Sequence, residues 1–216
     1  LVAVSSSDEA NLVACQVALA LFQTPKRIAR VRAPQLSQEK TLFQPGYIDI
    51  HALINPAELV IDRMVRQIQH PGASMVFDFA EGLIQMAAIS VVPTSILVGQ
   101  NIKELSEQVQ SLPAQIMAVL RDGEMILATD ELEVLVHDEL FFVTASPYTN
   151  QVIDLLLGAV RPNRRVMIAG GGNVGMGLAK KLEKDFHVKI LDRNTLQCQT
   201  ASAQLQKTVI LQGDAS

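Results

Sequence analysis

The chain has 216 residues, of which 49% are hydrophobic and 19% charged, with a net charge of −4 and an isoelectric point near 5.6. That balance is ordinary for a soluble protein with ample material for a core, and it leaves no basic footprint for nucleic acid. The longest apolar run, Leu12–Phe22, is broken by Gln16 and is shorter than the roughly 20 residues that a membrane helix needs.

Leu1–Val4 reads as a short strand. Ser6 and Glu9 have capping-box spacing, which predicts a helix from Ser7 to about Phe22. A turn at Thr24-Pro25 leads to a strand over Arg27–Arg32, which Pro34 stops, and Gln35–Phe43 can form a second helix. Ile48–Ile54 is expected as a strand with Asp49 and His51 on one face. Asn55-Pro56 then opens a helix that reaches about Ile68, with proline in its first turn. Three alternations of strand and helix are the pattern of half a doubly wound sheet.

The breaker triplet His70-Pro71-Gly72 marks a boundary, after which the pattern changes. Strands are expected at Met75–Phe79, Ile84–Val91, Gln115–Arg121, Glu124–Leu127 and Leu140–Ala145, with a hairpin turn at Asp122-Gly123. Helices are expected at about Ile102–Val109 and Asn150–Leu157. This makes a small α+β module, and 159–163 reads as a linker.

The last segment carries the strongest motif. Val166–Ala169 suits a buried strand, and Gly170-x-Gly172-x-x-Gly175 follows at once, then a helix from Asn173 to about Lys184. A strand over His187–Leu191 ends in Asp192, 20 residues after Gly172. Gly170 permits a tight strand-to-helix turn, Gly172 lets backbone approach a pyrophosphate, and Gly175 lets helix and strand pack closely. The free N–H groups of the helix start, Asn173 and Val174 among them, favour phosphate, and Asp192 is placed to accept ribose hydroxyls. A helix at Ala201–Lys207 and a strand at Thr208–Leu211 follow. The segment is thus one mononucleotide-binding half of a Rossmann fold, and the whole reads as a piece cut through two domains.

Taken in order, the segments are 1–69, 70–160 and 164–216, an α/β chain in which two Rossmann-like half-domains flank an α+β module. This order resembles the tandem potassium-conductance-regulator (RCK, or KTN) architecture over essentially its whole length. LVAVSSSDEANLVACQVALALF is similar to that family's fourth strand and following helix, with Ser5-Ser6 in place of the usual Thr-Asn. KRIARVRAPQ resembles its fifth strand, LVGQNIKEL its C-terminal ligand module, and VMIAGGGNVGMGLAKKLE the opening of its second nucleotide domain.

The resemblance implies an RCK C-terminal-type module between the half-domains. It further implies a regulatory, non-enzymatic subunit that binds NAD(H) or ATP/ADP and assembles as a homo-oligomer. Such a subunit is cytoplasmic, peripheral on the inner face of the membrane, beneath a Trk-type potassium transporter subunit. Carried over by position, the nucleotide residues are Gly170, Gly171, Gly172, Asn173, Val174, Gly175 and Asp192, with Ser5, Ser6 and Arg30 lining the same cleft. Asp214 is an adenine-side contact on this reading, and Arg32 is a weaker candidate beside Arg30. The orphan halves are expected to complement each other, 164–216 supplying the first three strands of a sheet and 1–69 the last three.

Blander readings stand beside these. Helix capping accounts for Ser5-Ser6-Ser7 better than a nucleophile does. His51, His70, His137 and His187 lack metal-ligand spacing, and Cys15 and Cys198 read as buried free thiols. Asp130, Glu131, Glu133, Asp138 and Glu139 read as a solvated face rather than a cation site, and Arg164-Arg165 as an exposed linker rather than a phosphate contact. An NAD-dependent oxidoreductase is the main alternative function, and a cytosolic domain of a channel or efflux system the third.

Overall fold

A computed structural model describes residues 1–33, 36, 40–43, 47–158 and 164–214. They divide into two compact units, Leu1–Arg63 with Met167–Ser216, and Met64–Val166.

In the first unit, β1 (Val2–Ala3), β2 (Ile28–Arg30) and β3 (Ala52–Ile54) form a parallel sheet in that order, with α1 (Asp8–Phe22) joining the first two. Ala3, Leu12, Cys15, Ala29 and Val31 make its core. The α1 cap is Ser7, whose hydroxyl accepts from Ala10 N at 3.1 Å, so the helix starts one residue later than the Ser6–Glu9 spacing suggested. Asp8 explains the frame: its carboxylate accepts from Arg32 N and Ala33 N, both at 2.8 Å, which requires it in the first turn. Asp49 and His51 precede β3 instead of lying on it. Asp49 pairs with buried Arg27 at 3.1 Å, and His51 is exposed. Lys40–Phe43 is a 3-10 turn, and residues 35 and 37–39 of the helix expected over Gln35–Phe43 lie outside the described residues. Asn55 caps α2 (Pro56–Gln69) by accepting from Ala57 N and Glu58 N.

The remainder of this unit repeats the pattern. β9 (Arg165–Ala169), α5 (Asn173–Leu182), β10 (His187–Asp192), α6 (Thr195–Gln204) and β11 (Val209–Gln212) give a parallel sheet of order β11-β10-β9. Leu178, Ala179, Leu182, Val188 and Ile190 fill it. α6 begins at Thr195, six residues before the expected Ala201, because Asn194 caps it by accepting from Leu196 N at 2.9 Å. The two sheets do not merge among the described residues. With two residues, β1 offers too little edge to extend a ladder, so the halves meet through helices instead: Ile61 on α2 packs over Gly177 on α5, and Lys181 pairs with Asp62.

The second unit is an antiparallel sheet of order β4-β5-β8-β6-β7, built from β4 (Met75–Phe79), β5 (Ile84–Ser90), β6 (Ala114–Arg121), β7 (Glu124–Leu127) and β8 (Glu139–Ala145). α3 (Ile102–Val109) and α4 (Thr149–Leu157) cover one face, where Ala87, Ile89, Ile116, Val119, Leu140 and Phe142 meet Leu105 and Leu156. Asp122 and Gly123, with φ of 52° and 85°, make the β6–β7 turn. Asn101 and Glu104 form a capping box at α3. The linker expected at 159–163 lies outside the described residues.

Candidate functional site

β9 ends at Gly170, whose φ of 104° takes the chain sharply toward α5, and Gly170 N donates to Leu191 O at 2.9 Å. Gly175 lies one turn into the helix directly over this bend, and a Cβ built on it would sit 1.9 Å from Gly170 O. Only a residue without a side chain fits there. Around Gly172, by contrast, a Cβ would meet nothing within 4 Å. Gly172 is the N-cap of α5 and supplies no side-chain cap, so the first-turn N–H groups, including those of exposed Asn173 and Val174, are left for an external acceptor.

Asp192, at the end of β10, braces the bend. Its Oδ2 accepts from Gly171 N at 2.6 Å and its Oδ1 from Asn194 N at 2.7 Å. The Asn194 and then the Gly171 N–H, with the Arg193 charge, hold its carboxyl below the usual range. Each oxygen keeps a second lone pair for a hydroxyl donor. Gly213 N donates to Asp192 O at 3.0 Å, which brings Asp214, just past β11, to the same end of the sheet.

A second group lies at the corresponding end of the β1-β2-β3 sheet. Asn11, 1% exposed, grips Ser5: its Oδ1 accepts from Ser5 N at 2.7 Å, and its Nδ2 donates to Ser5 O at 3.1 Å and Arg30 O at 2.9 Å. Arg30 NH2 donates to Ser5 O at 2.7 Å, and the Arg32 guanidinium donates to Ser6 O. Arg30 Nε is buried without a hydrogen-bond partner. Burial pushes the Asp8 carboxyl up, but the Ala33 and Arg32 N–H groups and the Arg32 charge outweigh it and leave the carboxyl lowered.

The expected residues therefore fall into two clusters, Ser5, Ser6 and Arg30 on one sheet and Gly170–Gly175, Asp192 and Asp214 on the other. A cleft of about 420 Å³ in this unit is lined by residues of both halves, among them Arg32, Asn55, Glu58, Asn173, Lys180 and Gln204. Asn173 is the one member of the expected set in its lining, together with the weaker candidate Arg32. Asn11 and Asp8 were missed as anchors, although the DE-x-N spacing that contains them was visible.

Elsewhere, two sequence expectations need correcting. Asp138 is not on a solvated face: it is 1% exposed and takes Arg121 Nε at 2.9 Å, Arg121 NH2 at 2.8 Å and Leu135 N at 2.7 Å. Cys198 is only half-buried, with its Sγ 3.4 Å from Asp192 O, while Cys15 is fully buried. Among the described residues, no group of three or more His, Cys, Asp or Glu is placed to hold a metal ion, and no helix is long and apolar enough to cross a membrane.

Comparison with known proteins finds relatives along the whole chain. Residues 86–157 match the TrkA-C domain and residues 166–216 the TrkA-N domain. Over its whole length the chain is 40% identical to the Trk system potassium uptake protein TrkA of Vibrio alginolyticus and 39% identical to that of Halomonas elongata. It spans about half the length of these curated relatives, 47% of each. Two solved structures, the GsuK RCK domain and the GsuK channel bound to NAD, superpose on 97% of the chain at a TM-score of 0.58, covering 43% and 36% of those chains. At 21% identity that likeness speaks for the fold alone. The chain thus carries a match to the TrkA-C domain followed by a match to the TrkA-N domain, and along its full length it is similar to about half the length of the TrkA proteins compared.

Proposed function

We propose that this chain is the nucleotide-sensing part of a regulatory subunit for a Trk-type potassium uptake system, and that it binds NAD(H), with ATP and ADP as competitors. The observation that carries the reading is the uncapped start of α5 above the Gly170 bend, with the Gly175 position closed to any side chain. In this proposal the N–H groups of Gly172, Asn173 and Val174 hold the pyrophosphate, and Asp192 accepts the ribose hydroxyls. Asp214 lies on the adenine side. Ser5, Ser6 and Arg30 close on the nucleotide from the other half, where the unpartnered Arg30 Nε offers a buried donor.

The bound dinucleotide supplies two negative charges and free hydroxyls, and no turnover is required of it. Asp192 favours a free 2′-hydroxyl over a 2′-phosphate, which would meet like charge. Relatives carrying the Trk potassium uptake name and a GsuK channel solved with NAD support the reading. On it, residues 1–69 and 164–216 belong to two nucleotide domains flanking the module at 70–160. The subunit is cytoplasmic, forms a homo-oligomer on the inner face of the membrane, and biases a transporter pore by preferring one arrangement of its lobes.

The test is titration calorimetry and thermal shift with NAD, NADH, ATP and ADP, on the chain and on Asp192→Asn. At a hundredfold excess over Kd a ligand of the native state adds about 2.7 kcal/mol. No shift with any of the four nucleotides overturns the proposal, as does steady consumption of NADH with carbonyl substrates.

A further inference from the structure

Three helices of the first unit turn toward one concave space, the cleft of about 420 Å³. Along α5 its lining falls at Asn173, Gly177 and Lys180, and along α6 at Gln197, Thr200 and Gln204. Steps of three and four residues put each set on one stripe of its helix. Glu58 and Ile61 bring in the first turns of α2. The floor is apolar: Ile61 is 4% and Leu205 8% exposed, and Met176 is half-buried. The rim is polar and uncommitted. Among the described residues, the side chains of Glu58, Asn173, Lys180, Gln197 and Gln204 make no hydrogen bond or ion pair within the chain. A solvated helix face also leaves its polar groups free, but it looks outward onto water. These groups converge over an apolar floor instead.

We infer that this cleft binds a small phosphorylated sugar or polyol. Its lining answers each part of such a molecule. The carboxamides of Asn173, Gln197 and Gln204 each hold both donors and an acceptor, which suits a run of hydroxyls that also donate and accept. Thr200 donates its hydroxyl proton to Leu196 O at 2.9 Å and keeps its lone pairs for the same purpose. Glu58 accepts from hydroxyls and repels phosphate, so it selects against a ligand that is anionic at both ends. Arg32 is engaged with Asp8, 3.6 Å away, which leaves Lys180 to meet the single phosphate. The C–H face of a sugar ring lies on the apolar floor. The volume falls in the range of small-molecule sites, roughly 300–1,000 Å³.

The cleft is separate from the glycine bend. The pyrophosphate reading uses the backbone N–H of Asn173, whereas the cleft uses its side chain, so this inference does not rest on nucleotide binding.

Titration of the 216-residue chain with ribose-5-phosphate, glucose-6-phosphate and inorganic phosphate, followed by calorimetry and amide NMR shifts, is the test. At least one sugar phosphate should bind with dissociation on the order of 1 mM, as expected for a small ligand in an open cleft, and about tenfold tighter than inorganic phosphate. The shifts should map to α5, α6 and the start of α2. Lys180→Gln should weaken binding about tenfold, while Lys184→Gln, the same charge change outside the lining, leaves it unchanged. Glu58→Gln should weaken the sugar phosphates and not inorganic phosphate. Should Lys180→Gln unfold, Gln204→Glu, at an exposed lining position, sets a like charge against the phosphate and gives the same reading. No binding of either sugar phosphate at about 10 mM overturns the inference. So does equal affinity for inorganic phosphate, or an equal loss in Lys180→Gln and Lys184→Gln. Binding abolished by Asp192→Asn and indifferent to Lys180→Gln would put the ligand at the glycine bend and overturn it too.

Discussion

Two substitutions in the glycine turn, Gly175→Ala and Gly172→Ala, should separate folding from binding. In a helix interior, replacing Gly by Ala normally gains about 1 kcal/mol. At Gly175 the new methyl would sit 1.9 Å from Gly170 O, 3.1 Å from Gly170 C and 3.3 Å from Ile168 Cγ2. Two of those three atoms are backbone in a bend already committed to a φ of 104°, so no rotamer change relieves the overlap. Displacing α5 from β9 costs about 2–3 kcal/mol net, which outweighs the propensity gain and lowers the melting temperature by roughly 5–10 °C. Gly172 has a φ of −71° and open space around its Cβ direction, so alanine there should change stability by under about 1 kcal/mol. On the proposed function its methyl would nevertheless stand where a pyrophosphate approaches the helix start. Thermal melting with NADH titration on both variants reads out the pair. Gly175→Ala as stable as the parent refutes the packing argument, and unaltered NADH affinity in Gly172→Ala refutes the close-approach argument.

Asp138→Asn should destabilise the Met64–Val166 unit by about 2–3 kcal/mol in urea melts, less than for a fully buried pair because Arg121 is 25% exposed. The same pair sets an acid limb. Burial raises the Asp138 carboxyl, but the Arg121 hydrogen bonds, the Leu135 N–H and the Arg121 charge bring it below its ordinary value. Its contribution is therefore fully present above about pH 4 and lost as pH falls through the depressed folded value. Urea midpoints measured down through that range should fall in the parent and less steeply in Asp138→Asn. Equal slopes would remove Asp138 from the acid limb. Finally, a thiol reagent should titrate Cys198 in the native chain and Cys15 only after unfolding, since burial both shields Cys15 and pushes its thiol up. Two fast equivalents would contradict the burial of Cys15.

What could be read from the sequence was what local chemistry decides. The helix over Ile102–Val109 and the Asp122-Gly123 turn follow from capping and turn residues within a few positions of each other, and both stand as expected. The α6 start was missed because the apolar period carried no information: of its ten residues, only Ala201 is buried. The Asn194 cap was the signal available there. The expected strand over Ile48–Ile54 shrank to Ala52–Ile54 because its partner β2 has only three residues to pair with. Asp138 looked solvated among neighbouring acids, because Arg121 reaches it only after β6 and β8 pair.

The same distinction runs through the candidate site. The glycine bend is a short-range object: Gly175 closes over a residue five positions earlier, and its spacing announces it in any chain. Asp192 needs one strand-helix-strand unit to reach Gly171, and that unit was legible too. The Ser5, Ser6 and Arg30 group is different in kind. Arg30 NH2 meets Ser5 O across 25 residues, and the polar side chain that fixes both, Asn11, sits buried on α1. No local rule predicts that anchor, and the family resemblance supplied the DE-x-N spacing without a role for its asparagine. The two clusters differ in rigidity for the same reason. The bend is held by backbone bonds and by Asp192, while the other group hangs on β1, a strand of two residues. A ligand held first by the bend and then by Ser5 and Arg30 would spend its differential affinity on the weaker of the two elements, so the β1 end is where binding should produce movement.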